Sequence, residues 1–265
     1  MFDYHIHSNF SADCKTPMEN TIEQAIKLGL EEICFTEHID YDYPDTSIQF
    51  EFDLDQYDRK LKEMRAAYAE KIQIKKGIEI GVQPHLLTRY ETLMQNESFD
   101  FVICSMHTTE KKDLHSGDFF KNRTVDEAHQ AYYEELLFCV KNYKNFDVLG
   151  HVDLIKRYSQ EKSNNDFHDI LTQIFNEIIS KGKGIELNTS GVRYGLESGM
   201  PSADILNLYK ECGGEILSIG SDSHVETTLA YQFKESLKML QAIGFRYVAT
   251  FADRKPVFHK IEKLT

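Results

Sequence analysis

The segment Phe2-Asp3-Tyr4-His5-Ile6-His7-Ser8, followed by Asp13, decides how this chain is read. Residues two apart on a β-strand face the same way, so a strand here aims the His5 and His7 imidazoles at one point. Such a pair is either two structural histidines on a half-exposed strand or half of a metal site. The remaining ligands of a metal site would have to come from other elements.

The same kind of strand recurs, with apolar residues first and polar groups gathered at the C-terminal end. Glu32-Ile33-Cys34-Phe35-Thr36-Glu37-His38 ends on His38, the segment from Ile72 ends on Glu79, and Phe101 to His107 ends on His107. Asp147-Val148-Leu149-Gly150-His151-Val152-Asp153 carries His151 and Asp153, Gly184 to Thr189 ends near Asn188, and Glu215 to His224 ends on Asp222 and His224. Helical stretches separate them. The first follows Thr16-Pro17-Met18-Glu19, which reads as a capping box, and stops before Gly29. Others are expected at about 54 to 70, 84 to 96, 124 to 143, 167 to 182, 202 to 212 and 227 to 242. Strands alternating with helices imply a parallel α/β sheet with right-handed crossovers, and polar residues collected at strand C-termini imply a barrel with its active site on that face. Seven strands are expected, Phe245 to Phe251 is a possible further one, and Asp40 to Phe52 reads as a loop over the site.

A chain of 265 residues with 41% hydrophobic and 12% aromatic residues suits one large domain, 1–265, and no Pro/Gly/Ser-rich linker divides it. Mean hydropathy of -0.45 and the lack of a long apolar run speak against a membrane span or membrane partner. Without a basic and then apolar start the expected location is cytoplasmic, and five scattered cysteines suit reduced thiols. The net charge of -13, with no basic block, favours a small-molecule substrate over nucleic acid. Composition says nothing of oligomeric state.

Of eleven histidines, His5, His7, His38, His107, His151 and His224 stand at or next to expected strand ends. Asp13, Glu79 and Asp222 occupy equivalent places. Nine nitrogen and oxygen ligands are too many for one tetrahedral zinc and enough for two or three divalent ions with open positions. A set without cysteine suits Zn, Mn or Fe.

These residues, in this order, resemble the PHP (polymerase and histidinol phosphatase) superfamily across nearly the whole chain. The resemblance implies a distorted TIM-like (β/α)7 barrel and three divalent metal ions at the strand C-terminal ends. Carried over by position, His5, His7, Glu79 and Asp222 would hold one ion, Glu79, His107 and His151 a second, and Asp13, His38 and His224 a third. Asp13 departs from superfamily members that have His at this place. The segments Ser8 to Asp13, Gly150 to Arg157 and Glu186 to Arg193 are similar to the histidinol-phosphate phosphatase branch, which implies hydrolysis of L-histidinol phosphate to L-histidinol and phosphate in histidine biosynthesis. The relation makes Arg157 and Arg193 phosphate-binding candidates, with His38 also beside the substrate. Guanidinium forks suit phosphate oxygens, and the plain alternative for either arginine is a solvated surface charge.

With three divalent ions the site would stay cationic inside an anionic protein, and a water bridging two of them would be hydroxide near neutral pH, able to attack phosphorus in line. Glu79 and Asp222 are then catalytic as metal-sharing carboxylates. His115, on the loop after the His107 strand, is a candidate donor of the leaving-group proton, as is a water on a metal. Asp153 and Glu37 are expected to orient ligand imidazoles from behind. The alternatives are a PHP-type phosphoesterase or exonuclease acting on nucleotides or another phosphate ester, a non-catalytic regulatory domain, and an amidohydrolase. The -13 charge, the nine filled positions and the Glu79 and Asp222-x-His224 pattern respectively weigh against these.

Overall fold

A computed structural model describes residues 1–159 and 161–264. Strands β1 (Phe2–Ile6), β2 (Glu32–Ile39), β3 (Gln73–Gly81) and β4 (Phe101–Ser105) come first, then a small antiparallel hairpin of β5 (Thr108–Thr109) and β6 (Lys112–Asp113). They are followed by β7 (Val148–Leu149), β8 (Gly184–Asn188), β9 (Leu217–Gly220), and a C-terminal hairpin of β10 (Tyr247–Ala252) and β11 (Lys255–Lys260). Seven strands form one parallel sheet in the order β1-β2-β3-β4-β7-β8-β9. This TIM-like barrel is nearly closed, because β1 returns to β9: Ile6 bridges Ser223, the His7 amide donates to the Ser223 carbonyl (2.9 Å), and the Asp222 amide donates to the His5 carbonyl (2.7 Å).

The seam is tight. A Cβ on Gly220 would lie 2.2 Å from the His5 Cβ, so β9 can approach β1 this closely only with glycine there. The buried Asp3 carboxylate secures the same seam by accepting from the Ser221 amide (2.9 Å), the Ser221 hydroxyl (2.5 Å) and the Ala230 amide (3.0 Å). The register of β1 against β2 shifts between Asp3 and Ile6. Consecutive residues Tyr4 and His5 therefore both sit in the interior with different neighbours: Tyr4 against Phe101 and Phe251, His5 against Glu79 and Glu186.

Helices α1 (Met18–Lys27), α2 (Leu54–Tyr68), α3 (Leu87–Asn96), α4 (Val125–Asn142), α5 (Ile155–Tyr158), α6 (His168–Ser180), α7 (Ala203–Glu211) and α8 (Phe233–Ile243) follow the strands. Their apolar spacing explains how they dock. Met18, Ile22 and Ala25 of α1 and Tyr57, Leu61 and Met64 of α2 recur at four and three residues and pack with Ile33 and Phe35 of β2. No described helix is long and apolar enough to cross a membrane.

Several boundaries differ from the sequence expectations for identifiable reasons. Helix α1 starts at Met18 with no side-chain cap, because the Thr16 hydroxyl instead donates to the His224 carbonyl (3.0 Å) and Glu19 pairs with Lys60. Helix α3 starts at Leu87 because the Leu86 amide closes a turn onto the Gln83 carbonyl (3.0 Å). Helix α8 starts at Phe233, since Ala230 and Gln232 have positive φ (50° and 59°), which an α-helix cannot continue. Segment 245–251 does become a strand, but outside the barrel: β10 pairs with β11 alone.

One buried histidine sets an acid limit on stability. His129 of α4 is 2% exposed, bonded to the Ser159 hydroxyl (2.9 Å) and stacked on Phe167. Burial, helped by the Lys156 ammonium, pulls its imidazole from 6.5 down to about 4. The unfolded chain therefore takes up this proton first as pH falls, so stability is lost from about pH 6.5 down to about pH 4. His129→Gln is expected to lose about 2 kcal/mol less than the parent chain over that window. Urea unfolding at pH 7 and pH 4.5 checks this, and parallel losses in the two proteins would refute it.

Candidate metal centre

The strand C-termini converge on one carboxylate. Glu79 in β3 is fully buried, and its Oε2 lies 3.1 Å from His5 Nε2, 3.5 Å from His7 Nε2 and 3.1 Å from His38 Nδ1. Its Oε1 lies 3.0 Å from His151 Nε2 and 3.3 Å from His107 Nε2, and accepts from the Ser105 hydroxyl (2.6 Å). Asp222 adds a second carboxylate, with Oδ1 3.6 Å from His7 Nε2 and 3.8 Å from His5 Nε2. Its φ of 53° is left-handed, a conformation that costs aspartate of order 1 kcal/mol and is held by the seam and by Arg193. At the outer side Asp13 Oδ2 lies 3.2 Å from His224 Nε2 and 3.7 Å from His38 Nε2.

The donors fit divalent metal. The sets His5, His7 and Asp222; His5, Glu79 and His151; His38, Glu79 and His107; and His7, His38 and His224 each bring their ligand atoms within 4.8 Å of one another. His7 Nε2 and His38 Nδ1 are buried with no hydrogen-bond partner, although both point into this cluster. Buried nitrogens left unpaired are costly in a purely structural cluster and useful as ligands.

Burial and neighbouring charge oppose one another at several of these groups. Burial pulls His5 down, but the Glu186, Glu79 and Asp222 carboxylates together outweigh it and hold the imidazole well above its usual range. His107 behaves alike, with Asp40 and Glu79 overcoming burial. Burial and the His224, His38 and His5 rings depress His7. Burial opposes ionisation of Glu79, yet the surrounding imidazoles keep its carboxyl well below the ordinary range.

Two supporting carboxylates escaped the sequence reading. Glu186 Oε1 accepts from His5 Nδ1 (2.6 Å) while its Oε2 accepts from the His151 amide (3.2 Å). Asp40 Oδ1 accepts from His107 Nδ1 (2.7 Å). Each turns the other ring nitrogen toward Glu79, the arrangement that orients ligand histidines. The expectation for Asp153 fails, since its carboxylate meets the Ser202 amide (3.2 Å) and Lys156 (3.0 Å) and no ligand imidazole. Glu37 acts at one remove: it accepts from Ser11 (2.6 Å), whose oxygen lies 3.1 Å from His7 Nδ1.

A cavity of about 360 Å³ opens over the cluster. Asp13, His38, Glu79, His107, His151, Asp222 and His224 form its floor, and Arg157, His115, Tyr43, Asp113 and Tyr158 stand among its walls. Arg193 is not among the lining residues: its guanidinium donates to the Ser221 carbonyl (2.8 Å) and the Asp222 carbonyl (2.9 Å), at the edge of the cluster.

A family model of the PHP domain matches residues 3–190, a span that holds seven of the nine donor residues, from His5 to His151, and the supporting Asp40 and Glu186. The chain belongs to the PHP family. Among PHP-type relatives, the histidinol-phosphatase of Lactococcus lactis subsp. lactis is 31% identical over 258 residues, 96% of this chain and 95% of that one. The probable histidinol-phosphatase of Clostridium acetobutylicum is 31% identical over 254 residues, 94% of this chain and 96% of the other. The crystal structure of histidinol phosphate phosphatase from Lactococcus lactis, complexed with zinc, L-histidinol and phosphate, matches the present PHP barrel with a TM-score of 0.87 and 31% identity, covering 97% of this chain and 98% of that one.

Proposed function

We propose that this chain is a metal-dependent phosphomonoesterase that hydrolyses L-histidinol phosphate to L-histidinol and phosphate. The observation that carries the reading is the cavity itself, whose floor is a buried His/Asp/Glu cluster and whose wall presents the Arg157 guanidinium. The likeness to histidinol-phosphatases over nearly the full length of both chains supports that substrate.

Three divalent ions, Zn, Mn or Fe, are assigned to the donors: His5, His7, Glu79 and Asp222; Glu79, His107 and His151; Asp13, His38 and His224. When bound they supply positive charge for phosphoryl oxygens and acidify water toward neutral pH. The protein's own charge balance is finer than the sequence suggests, because Asp40 and Glu186 join Asp13, Glu79 and Asp222 around the same imidazoles. Five carboxylates nearly balance three such ions, so a phosphate dianion needs a further cation. Arg157 supplies it from the cavity wall. Arg193 is assigned to holding the Ser221-Asp222 turn with two of its donors, leaving others for phosphate. The His38 ring, at the floor and edge-on to Phe50, limits how the ester can lie.

The leaving alkoxide needs a proton, and we assign its delivery to the His115 imidazole, a reading supported by its position on the cavity wall, edge-on to Tyr158. His115→Asn is expected to lower kcat about 10²-fold with metal content unchanged. Unaltered kcat would hand the proton to solvent instead. The substrate is tested by steady-state kinetics of the metal-loaded protein on a panel of phosphomonoesters, nucleotides and phosphodiesters. L-histidinol phosphate should give the highest kcat/KM, and preferential turnover of a nucleotide or diester would overturn the proposal.

A further inference from the structure

We infer that Tyr194 is a positioning residue for the phosphate grip, a flat platform that keeps the Arg157 fork turned toward the cavity. The inference rests on the reading of the cavity as a phosphate-ester site. The Arg157 Cζ sits 3.2 Å from the centroid of the Tyr194 ring, and 5.2 Å from that of Tyr158. Among the described residues the Arg157 guanidinium has neither a carboxylate nor a carbonyl partner, although the chain carries 43 acidic residues. Among the described residues its N–H groups are held by ring faces alone, which leaves them open for an incoming anion. Lying flat on an aromatic face uses none of the in-plane donors that a phosphate would take.

The platform is itself fixed. Tyr194 ends the 3-10 segment Thr189–Tyr194 that follows β8. Asn188 Oδ1 pins the start of that segment by accepting from the Ser190 amide (3.0 Å) and hydroxyl (2.6 Å), and Arg193 ties its end to the carbonyls of Ser221 and Asp222. Arg157 comes from α5, beyond β7, so the stack joins the loops of two neighbouring strands across the cavity rim. The Tyr194 side chain is 49% exposed and its hydroxyl has no partner among the described residues, so neither core packing nor the hydroxyl accounts for the ring. An arginine without this face would regain its side-chain freedom and have to lose it on each binding event.

Tyr194→Ala, Tyr194→Phe, Arg157→Ala and the Tyr194→Ala/Arg157→Ala double variant are compared by calorimetric titration of the metal-loaded proteins with inorganic phosphate, by kinetics on L-histidinol phosphate, and by metal content and Tm. Tyr194→Ala should weaken phosphate binding and raise KM about three- to tenfold, with kcat, metal content and Tm nearly unchanged. Tyr194→Phe should match the parent chain, and in the Arg157→Ala background the loss of Tyr194 should add nothing. Unchanged phosphate affinity in Tyr194→Ala, or an equal loss when Arg157 is already absent, overturns the inference while leaving Arg157 in the site. Unchanged phosphate affinity in Arg157→Ala overturns the phosphate grip itself.

Discussion

Glu79→Ala is expected to remove measurable turnover, a loss on the order of 10³-fold or more in kcat/KM, and most of the bound metal with it. No other carboxylate in the site faces five imidazoles: His5, His7 and His38 on one oxygen, His107 and His151 on the other. An oxygen pair shared this way can join two ions, and its removal takes a ligand from both. The effect extends to the metal-free protein. His5 and His107 keep their raised proton affinity partly through Glu79, and without it each is left against neighbouring imidazoles (His5 beside His7 and His151, His107 beside His38 and His151) with less compensating charge. Breaking such a buried network costs about 3–5 kcal/mol. Elemental analysis, kinetics and denaturant unfolding read the three consequences separately. A variant with full metal content and near-normal kcat would remove Glu79 from the centre of the site.

What could be read in advance follows from parity. His5 on β1 and His7, one residue past its end, lie two apart, and both imidazoles reach Glu79. The same rule was available for the two missed carboxylates: Asp40 stands two residues after His38, and Glu186 two before Asn188 in a strand otherwise apolar. Charged residues buried in apolar strands need partners, so their positions already carried the signal. Other features had none. The shifted register that turns both Tyr4 and His5 inward depends on the pairing of β1 with β2, and the left-handed Ala230 and Gln232 that delay α8 carry no glycine to mark them. Arg193 illustrates the limit most clearly: its place after β8 is legible, whereas the carbonyls it grasps belong to a turn 28 residues on.

Glu186→Ala should then be nearly as damaging as loss of a ligand, although Glu186 need touch neither ion nor substrate. One oxygen receives the His5 Nδ1 hydrogen and the other the His151 amide and, at 3.3 Å, the Asn188 side-chain amide. The first bond fixes which His5 nitrogen is left to face Glu79, and the second fixes the backbone from which His151 projects. Removing the carboxylate frees the His5 ring to rotate and leaves a fully buried amide unpaired, with an expected cost of about 1–3 kcal/mol in stability and 10- to 100-fold in metal affinity. Glu186→Gln separates charge from shape. Its carbonyl oxygen can still accept from His5, but its NH2 group must then confront the His151 amide, donor against donor, so stability should recover only in part. Competition with a chelator measures the metal affinity, and kinetics at saturating metal test the route of the effect. If added metal restores kcat, Glu186 acts by orienting ligands; if kcat stays low with the site filled, the carboxylate has a direct part in the reaction.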